Sequence, residues 1–271
     1  MSFAISGRPT GPVPVPEGVA AATVGYRLEP VWRNELGGLA FAAFPVHGGG
    51  RRFVKWAPAG SGLDLAAEAA RMAWAAPFTP VPRPVARGAD AGGSWLVTEA
   101  LPGESAVSPQ WTHRPALAAR AIGEGLRALH DALPVADCPF TWSLEDRRAR
   151  IVDRAADGGL DPTGWHPDHA GLDSARALAV LADAPPVDRL VVCHGDACAP
   201  NTLIGGDGRW SGHVDLGTLG VADRWADLAV ATWSLDWNYG PGWGAELLAA
   251  YGVADDPGRT RWYRLLWDLA P

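Results

Sequence analysis

Apolar positions in the first hundred residues fall into short runs separated by glycine and proline. Leu39 to Val46 and Arg52 to Trp56 flank His47-Gly48-Gly49-Gly50, which predicts a β-hairpin closed by a glycine turn. An alanine-rich stretch, Asp64 to Ala76, predicts a helix, and Pro77, Pro80, Pro82 and Pro84 then break the chain. Ser94 to Thr98 predicts a short strand, and Leu101-Pro102-Gly103 a linker. Beyond it the period changes. Leu117, Ala121, Ile122, Gly125, Leu126, Leu129 and Leu133 recur at three- and four-residue steps, one face of a helix that Pro134 ends. Ser143 to Ala156 predicts a charged helix, followed by a loop rich in Gly, Asp, Pro and His up to Gly171. Leu190 to Cys193 reads as a strand. Thr202 to Ile204 and Trp210 to Asp215 read as a second hairpin around Gly205-Gly206-Asp207-Gly208. From Asp223 onward the pattern is helical and rich in tryptophan. A strand-rich first third and a helix-rich remainder predict an α+β protein of two lobes, 21–100 and 104–271, with a hinge at 98–103. Ser2 to Pro16, rich in Pro and Gly with one charge, predicts a frayed or extended segment, and 1–20 are expected to form a flexible N-terminal arm.

With 48% apolar and 20% charged residues among 271, the chain can bury a core and is not of the disordered class. The net charge of −7 argues against a nucleic-acid partner, whose phosphates call for a basic face. It suits a cationic partner, although solubility alone would account for a net charge of this size. No basic stretch followed by an apolar run opens the chain and no run of about 18 apolar residues occurs, so neither a signal peptide nor a membrane span is expected. Cys138, Cys193 and Cys198 form no even framework and no C-x-x-C pair, which predicts a reducing, cytoplasmic setting.

The chemistry concentrates in Val192-Cys-His-Gly-Asp-Ala-Cys-Ala-Pro-Asn201 and Val214-Asp-Leu-Gly217. Asn201 precedes the first strand of the second hairpin and Asp215 ends the second, so antiparallel pairing brings both side chains to one end of the ribbon. A carboxylate and an amide oxygen side by side suit magnesium, a hard cation that keeps phosphates and water in its shell. Asp196, on the loop just before, could then accept a proton from a hydroxyl facing a phosphate.

His194-Gly195-Asp196 with Asn201 resembles the His-Gly-Asp-x-x-x-x-Asn catalytic loop of aminoglycoside phosphotransferases, cousins of protein kinases. Asp215-Leu216-Gly217 resembles their metal-binding Asp-x-Gly, and Gly220 to Ala229 is similar to the family's continuation. The resemblance runs from Gly37 to the C-terminus and includes Glu68-Ala-Ala-Arg-Met-Ala-Trp and Ala121 to His130. It implies a bilobal protein-kinase-like fold with a small β-rich N-lobe and a larger helical C-lobe, and ATP and Mg2+ as cofactors. It further implies Asp196 as catalytic base, Asn201 and Asp215 as magnesium ligands, Lys55 on the α- and β-phosphates and Glu68 aiming Lys55. Thr98 to Ala100 would then be the hinge that meets the adenine edge, and Asn34 to Phe41, with Gly37-Gly38, the nucleotide loop. His194 is expected to hold the loop backbone and Asp227 to brace it.

The acceptor implied is a cationic aminoglycoside, bound by a cytoplasmic monomer. Phe53-Val-Lys-Trp-Ala-Pro-Ala59 and Asp215-Leu-Gly are similar to the members that phosphorylate streptomycin at its 3''-hydroxyl. The stretch Arg261 to Pro271 departs from the tail of the kanamycin-type 3'-enzymes. Streptomycin carries two guanidinium groups, which favour bidentate carboxylates, so Asp236 and Asp268 are the candidate partners. Three further readings are a kinase for another small alcohol, a metallohydrolase using His194, Asp196, His213 and Asp215, and a catalytically silent binding module.

Overall fold

The computed structural model describes residues 7–156 and 158–270. It divides into two compact units, one ending at Leu101 and the other beginning at Pro102.

The first unit comprises α1 (Glu17–Ala22), β1 (Tyr26–Arg33), β2 (Leu39–Pro45), β3 (Arg52–Pro58), α2 (Leu65–Ala75), β4 (Pro84–Ala89) and β5 (Gly93–Glu99). The strands form one antiparallel sheet in the order β1-β2-β3-β5-β4, with Phe41, Val54 and Val97 in register across its centre. All three are fully buried, and with Val19, Leu39 and Ala43 they make the core. Helix α2 starts where expected because the Asp64 side chain accepts from Ala67 N at 2.9 Å, an N-cap that satisfies one orphan donor. It buries Leu65, Glu68, Ala69, Met72 and Ala75.

The flexible arm expected over 1–20 is corrected from Gly7 onward, its first six residues lying outside the described ones. Gly7 exchanges two backbone hydrogen bonds with Arg33, at 2.8 and 2.9 Å, and α1 lays Val19 into the core. Burying a valine contributes roughly 1.5–3 kcal/mol toward ordering the helix against the sheet. Gly18 permits the close approach: a Cβ there would sit 2.3 Å from the Trp95 ring. Strands β1 and β4 are additions to the predicted elements. Pro30 lies at a register shift in β1 and Pro84 opens β4, so both prolines occupy positions where a sheet tolerates them.

The second unit comprises β6 (Glu104–Ser105), α3 (Pro109–Thr112), α4 (Pro115–Ala132), α5 (Leu144–Ala156), α6 (Ser174–Ala182), β7 (Leu190–Cys193), β8 (Thr202–Ile204), β9 (Trp210–His213), β10 (Gly220–Asp223), α7 (Trp225–Tyr239), α8 (Gly244–Tyr251) and α9 (Pro257–Leu269). Helix α7 is buried continuously from Trp225 to Leu235, as expected of a central helix that is apolar all round, and packs against α4, α8 and α9. The chain between β7 and β10 carries the loop from His194 to Asn201 and the hairpin β8–β9. Since β7 and β10 pair antiparallel, Cys193 opposite Gly220, both ends of this segment are pinned. No helix among the described residues is long and apolar enough to cross a membrane.

Candidate active site

The loop after β7 is held from below by α7. Asp227, in the first turn of α7 and fully buried, accepts from His194 N at 2.6 Å through Oδ2 and from Gly195 N at 2.9 Å through Oδ1. His130 Nε2 donates to the same Oδ2 at 2.9 Å, and Tyr251 OH lies 2.9 Å from His130 Nδ1. Burial works to raise the Asp227 carboxyl, but the hydrogen bond and charge of His130, with the Gly195 amide, hold it below the ordinary aspartate value. Gly195 takes φ +85°, and a Cβ there would meet Thr218 O at 2.3 Å, so glycine is required twice over. Asp223 is likewise structural: its carboxylate caps Trp225 N at 2.9 Å and accepts from Asp188 N at 2.6 Å.

His194 is fully buried, with Nε2 2.9 Å from Val214 O and Nδ1 accepting from Asp196 N at 3.3 Å. That pattern places the proton on Nε2 and leaves no lone pair for a metal, which removes the metallohydrolase reading built on His194. The ring ties the loop to the strand end that leads into Asp215.

Asn201 Nδ2 donates to Asp196 O and to Asp196 Oδ2, both at 3.0 Å, which turns its side-chain oxygen away as an acceptor. Val214 N donates to Asn201 O at 2.9 Å, extending the β8–β9 register beyond Thr202↔His213. Asn201 and Asp215 are thus brought to one end of the hairpin as the spacing requires. The strand itself stops at His213, short of the predicted Asp215, because Asp215 takes φ +65°, alone among the described non-glycine residues. A left-handed aspartate costs on the order of 1–3 kcal/mol, and such strain persists where neighbours over-determine it. Asp196 Oδ1 is buried and no nitrogen or oxygen donor reaches it, the weakly donating Cys198 thiol being the other neighbour of the carboxylate. Burial first, and the charge of Asp215 second, push the Asp196 carboxyl upward. The Asn201 amide oxygen and the Asp215 carboxylate, brought to one end of the hairpin with the Asp215 charge acting on Asp196, are hard oxygen donors that fit a divalent cation. By contrast, His130, Cys193 and Asp227 also bring ligand atoms within 4.8 Å, but both nitrogens of His130 are already hydrogen-bonded.

In the first unit Lys55 Nζ of β3 meets Glu68 Oε1 of α2 at 2.7 Å, the carboxylate side chain being only 5% exposed. The predicted nucleotide loop is the β1–β2 turn, where Asn34 Oδ1 accepts from Leu36 N at 2.7 Å and Asn34 N donates to Gly38 O at 2.8 Å. Thr98 is buried within β5 opposite Phe53. Ala100 donates its N–H to Arg51 O at 3.1 Å, so an adenine contact through that N–H would require this bond to open.

The two predicted acceptor carboxylates differ. Asp268 departs from the expectation of an open carboxylate: it is 9% exposed, and its Oδ2 accepts from His169 Nδ1 at 2.5 Å and His166 N at 3.0 Å, so that oxygen braces the loop before α6. Asp236, on α7, is 35% exposed and lies 3.8 Å from Arg264 of α9. Arg264 and Asp168 beside it were not singled out in the sequence, where nothing marks a long-range ion pair.

A family profile described as phosphotransferase enzyme family matches residues 35–263. The chain is 40% identical over 218 residues to aminoglycoside 3'-phosphotransferase of Streptomyces fradiae, covering 78% of this chain and 81% of that relative. Among solved structures it is similar to an aminoglycoside-3'-phosphotransferase of type VIII, with 33% identity and TM-score 0.79 over 93% of this chain and 96% of that one. Aminoglycoside phosphotransferase APH(3'')-Id of Streptomyces rimosus, solved with ADP and streptomycin, matches with 30% identity and TM-score 0.74, covering 93% of this chain and 96% of that one. The fold is accordingly the α+β, protein-kinase-like fold of these enzymes, with the antiparallel sheet in the first unit and the helices in the second.

Proposed function

We propose, for a chain that belongs to the phosphotransferase enzyme family, that it moves the γ-phosphate of ATP to a hydroxyl of a cationic aminoglycoside and thereby confers resistance, with the 3''-hydroxyl of streptomycin as acceptor. The observation that carries the reading is the buried Oδ1 of Asp196, which no nitrogen or oxygen donor reaches, on a carboxylate whose other oxygen is fixed by Asn201. Asp196 would take the hydroxyl proton as the phosphoryl group arrives, its raised pKa bringing it nearer the range where a general base works well. Lys55, aimed by Glu68, would hold the α- and β-phosphates, and Thr98 and Ala100 would border the adenine. Asn201 and Asp215 would hold magnesium, which when bound neutralises charge on the β- and γ-phosphate oxygens. The enzyme is read as a cytoplasmic monomer.

A coupled assay of ADP release against streptomycin and kanamycin side by side tests the acceptor. Streptomycin is expected to be modified at one hydroxyl, with the higher kcat/KM. The local motifs Phe53 to Ala59 and Asp215-Leu-Gly, together with the likeness to APH(3'')-Id, support this choice. A second reading, transfer to the 3'-hydroxyl, is supported by the 40% identity to a 3'-phosphotransferase, and a kanamycin kcat/KM equal to or above that of streptomycin selects it. ADP release with neither compound would reject both.

The metal assignment predicts that Asp215→Asn lowers turnover and nucleotide affinity together and shifts the magnesium activation curve to higher concentration, with partial recovery at excess magnesium. Superimposable activation curves for the variant and the parent protein would remove Asp215 from the metal site.

A further inference from the structure

The fourth turn of α7 carries Asp236 two residues beyond Ser234, whose Oγ accepts from Ala199 N of the catalytic loop at 2.9 Å. At about 3.6 residues per turn, Asp236 leaves the helix on a different face from Ser234, the face that carries Thr232 and Trp233 and meets Arg264. The space beside it is filled by the protein's own cation. The guanidinium of Arg264 lies 5.4 Å from the Trp233 ring centroid, with its nitrogens 3.8 Å from Asp236 Oδ2 and 3.9 Å from Asp168 Oδ2. Its remaining donors reach Ala229 O at 3.3 Å and Thr232 Oγ1 at 3.2 Å. Two carboxylates and an indole face are the groups that receive a planar cation. Arg264 is only 17% exposed, flanked along α9 by buried Tyr263 and Leu265, whereas the surface pair Arg120–Glu246 has its arginine 64% exposed. The seat is therefore built into the packing of α7, α9 and the turn at Pro167–His169.

We infer that Arg264 is a specificity-determining residue: its guanidinium occupies a seat, formed by Asp236, Asp168 and the Trp233 face, that a cationic group of the acceptor would otherwise take. The inference rests on the aminoglycoside reading for its consequence, but the seat itself does not. With Arg264 in place the two carboxylates carry one net negative charge instead of two, so the site discriminates against acceptors that need both. Partial desolvation of Arg264, which depresses its pKa, makes the pairing matter more than at the surface.

The seat is tested without catalysis. Thermal melting of Arg264→Ala is measured with ethylguanidinium chloride and, as a control, ethylammonium chloride, beside the parent protein. Ethylguanidinium is expected to raise the variant's Tm saturably, about 3 °C at ten times the half-saturating concentration, with a smaller rise from ethylammonium and none in the parent. No rise, or an equal rise in the parent, overturns the seat. Arg264→Gln, whose amide can still donate to Ala229 O, tests the consequence and covers the case in which the alanine variant does not fold. Its streptomycin KM is expected to fall about fivefold while ATP KM holds. An unchanged or increased streptomycin KM overturns the specificity role. Absence of streptomycin turnover in the parent would instead count against the acceptor assignment and leave the melting result standing.

Discussion

Asp196→Ala is expected to lower kcat by ~10²–10⁴-fold while the KM for ATP stays within about twofold, because a positioned general base contributes that much and meets only the acceptor. The structure gives the reason for the split. Asp196 Oδ2 is engaged by Asn201 Nδ2 at 3.0 Å, and Oδ1 is the buried oxygen that no nitrogen or oxygen donor reaches. Removing the carboxylate therefore deletes the atom that would receive the hydroxyl proton and leaves Lys55 and Glu68, on the other unit, untouched. Asp196→Asn sharpens the test. It keeps the shape and a hydrogen-bonding side chain but cannot accept the proton, so it should be nearly as slow as the alanine variant. Single-turnover phosphoryl transfer to the acceptor is the measurement. A loss of less than about tenfold in both variants would falsify the base assignment, since bulk water would then do as well. A parallel loss of ATP affinity would move Asp196 from the acceptor to the metal.

Much of this site was legible in the sequence because its residues are local. His194 to Asn201 and Val214 to Gly217 lie within one stretch, and the hairpin between them fixes their distance by backbone pairing alone. The strand and helix of Lys55 and Glu68 were legible for the same reason: one apolar run, one capped alanine-rich run. What the sequence did not reveal depends on contacts across long separations. The N-terminal segment read as an arm because its prolines and glycines mask one buried valine. Only the Trp95 surface, more than seventy residues on, shows why Val19 goes inside. Strands β1 and β4 were obscured by Pro30 and Pro84, since periodicity cannot distinguish a bulge or strand start from a chain break. Asp268 looked available as a carboxylate in a charged, aromatic tail, but two groups a hundred residues earlier, His169 Nδ1 and His166 N, claim it.

Asp227→Ala is expected to be the most destabilising single change in the second unit, because one side chain there serves three buried donors. His194 N, Gly195 N and His130 Nε2 all point at its carboxylate, at 2.6, 2.9 and 2.9 Å, with no solvent exposure to substitute for it. Breaking a buried charged partnership costs about 3–5 kcal/mol, a large share of a typical total stability of about 5–15 kcal/mol. At roughly 2–4 °C per kcal/mol for a chain of this size, Tm should fall by about 10 °C. Asp227→Asn should recover only part of this. Its amide presents two acceptor lone pairs on one oxygen, while its NH2 must face a donor, Gly195 N–H or the His194 N–H and His130 Nε2–H pair. The pH dependence follows from the depressed carboxyl of Asp227. A folded-state pKa below the unfolded one contributes stability that is complete above the unfolded value of about 3.9 and disappears as pH falls through the folded value. The gap between parent and Asp227→Asn should accordingly be constant near neutrality and narrow only in acid. Thermal melts across pH read this directly, and a gap below about 2 °C at neutral pH would show that the loop is held by other contacts. Activity should fall with the fold: once the His194 and Gly195 amides lose their anchor, the φ +85° turn that presents Asp196 is left to the contacts of His194 Nε2 with Val214 O and of Ala199 N with Ser234 Oγ.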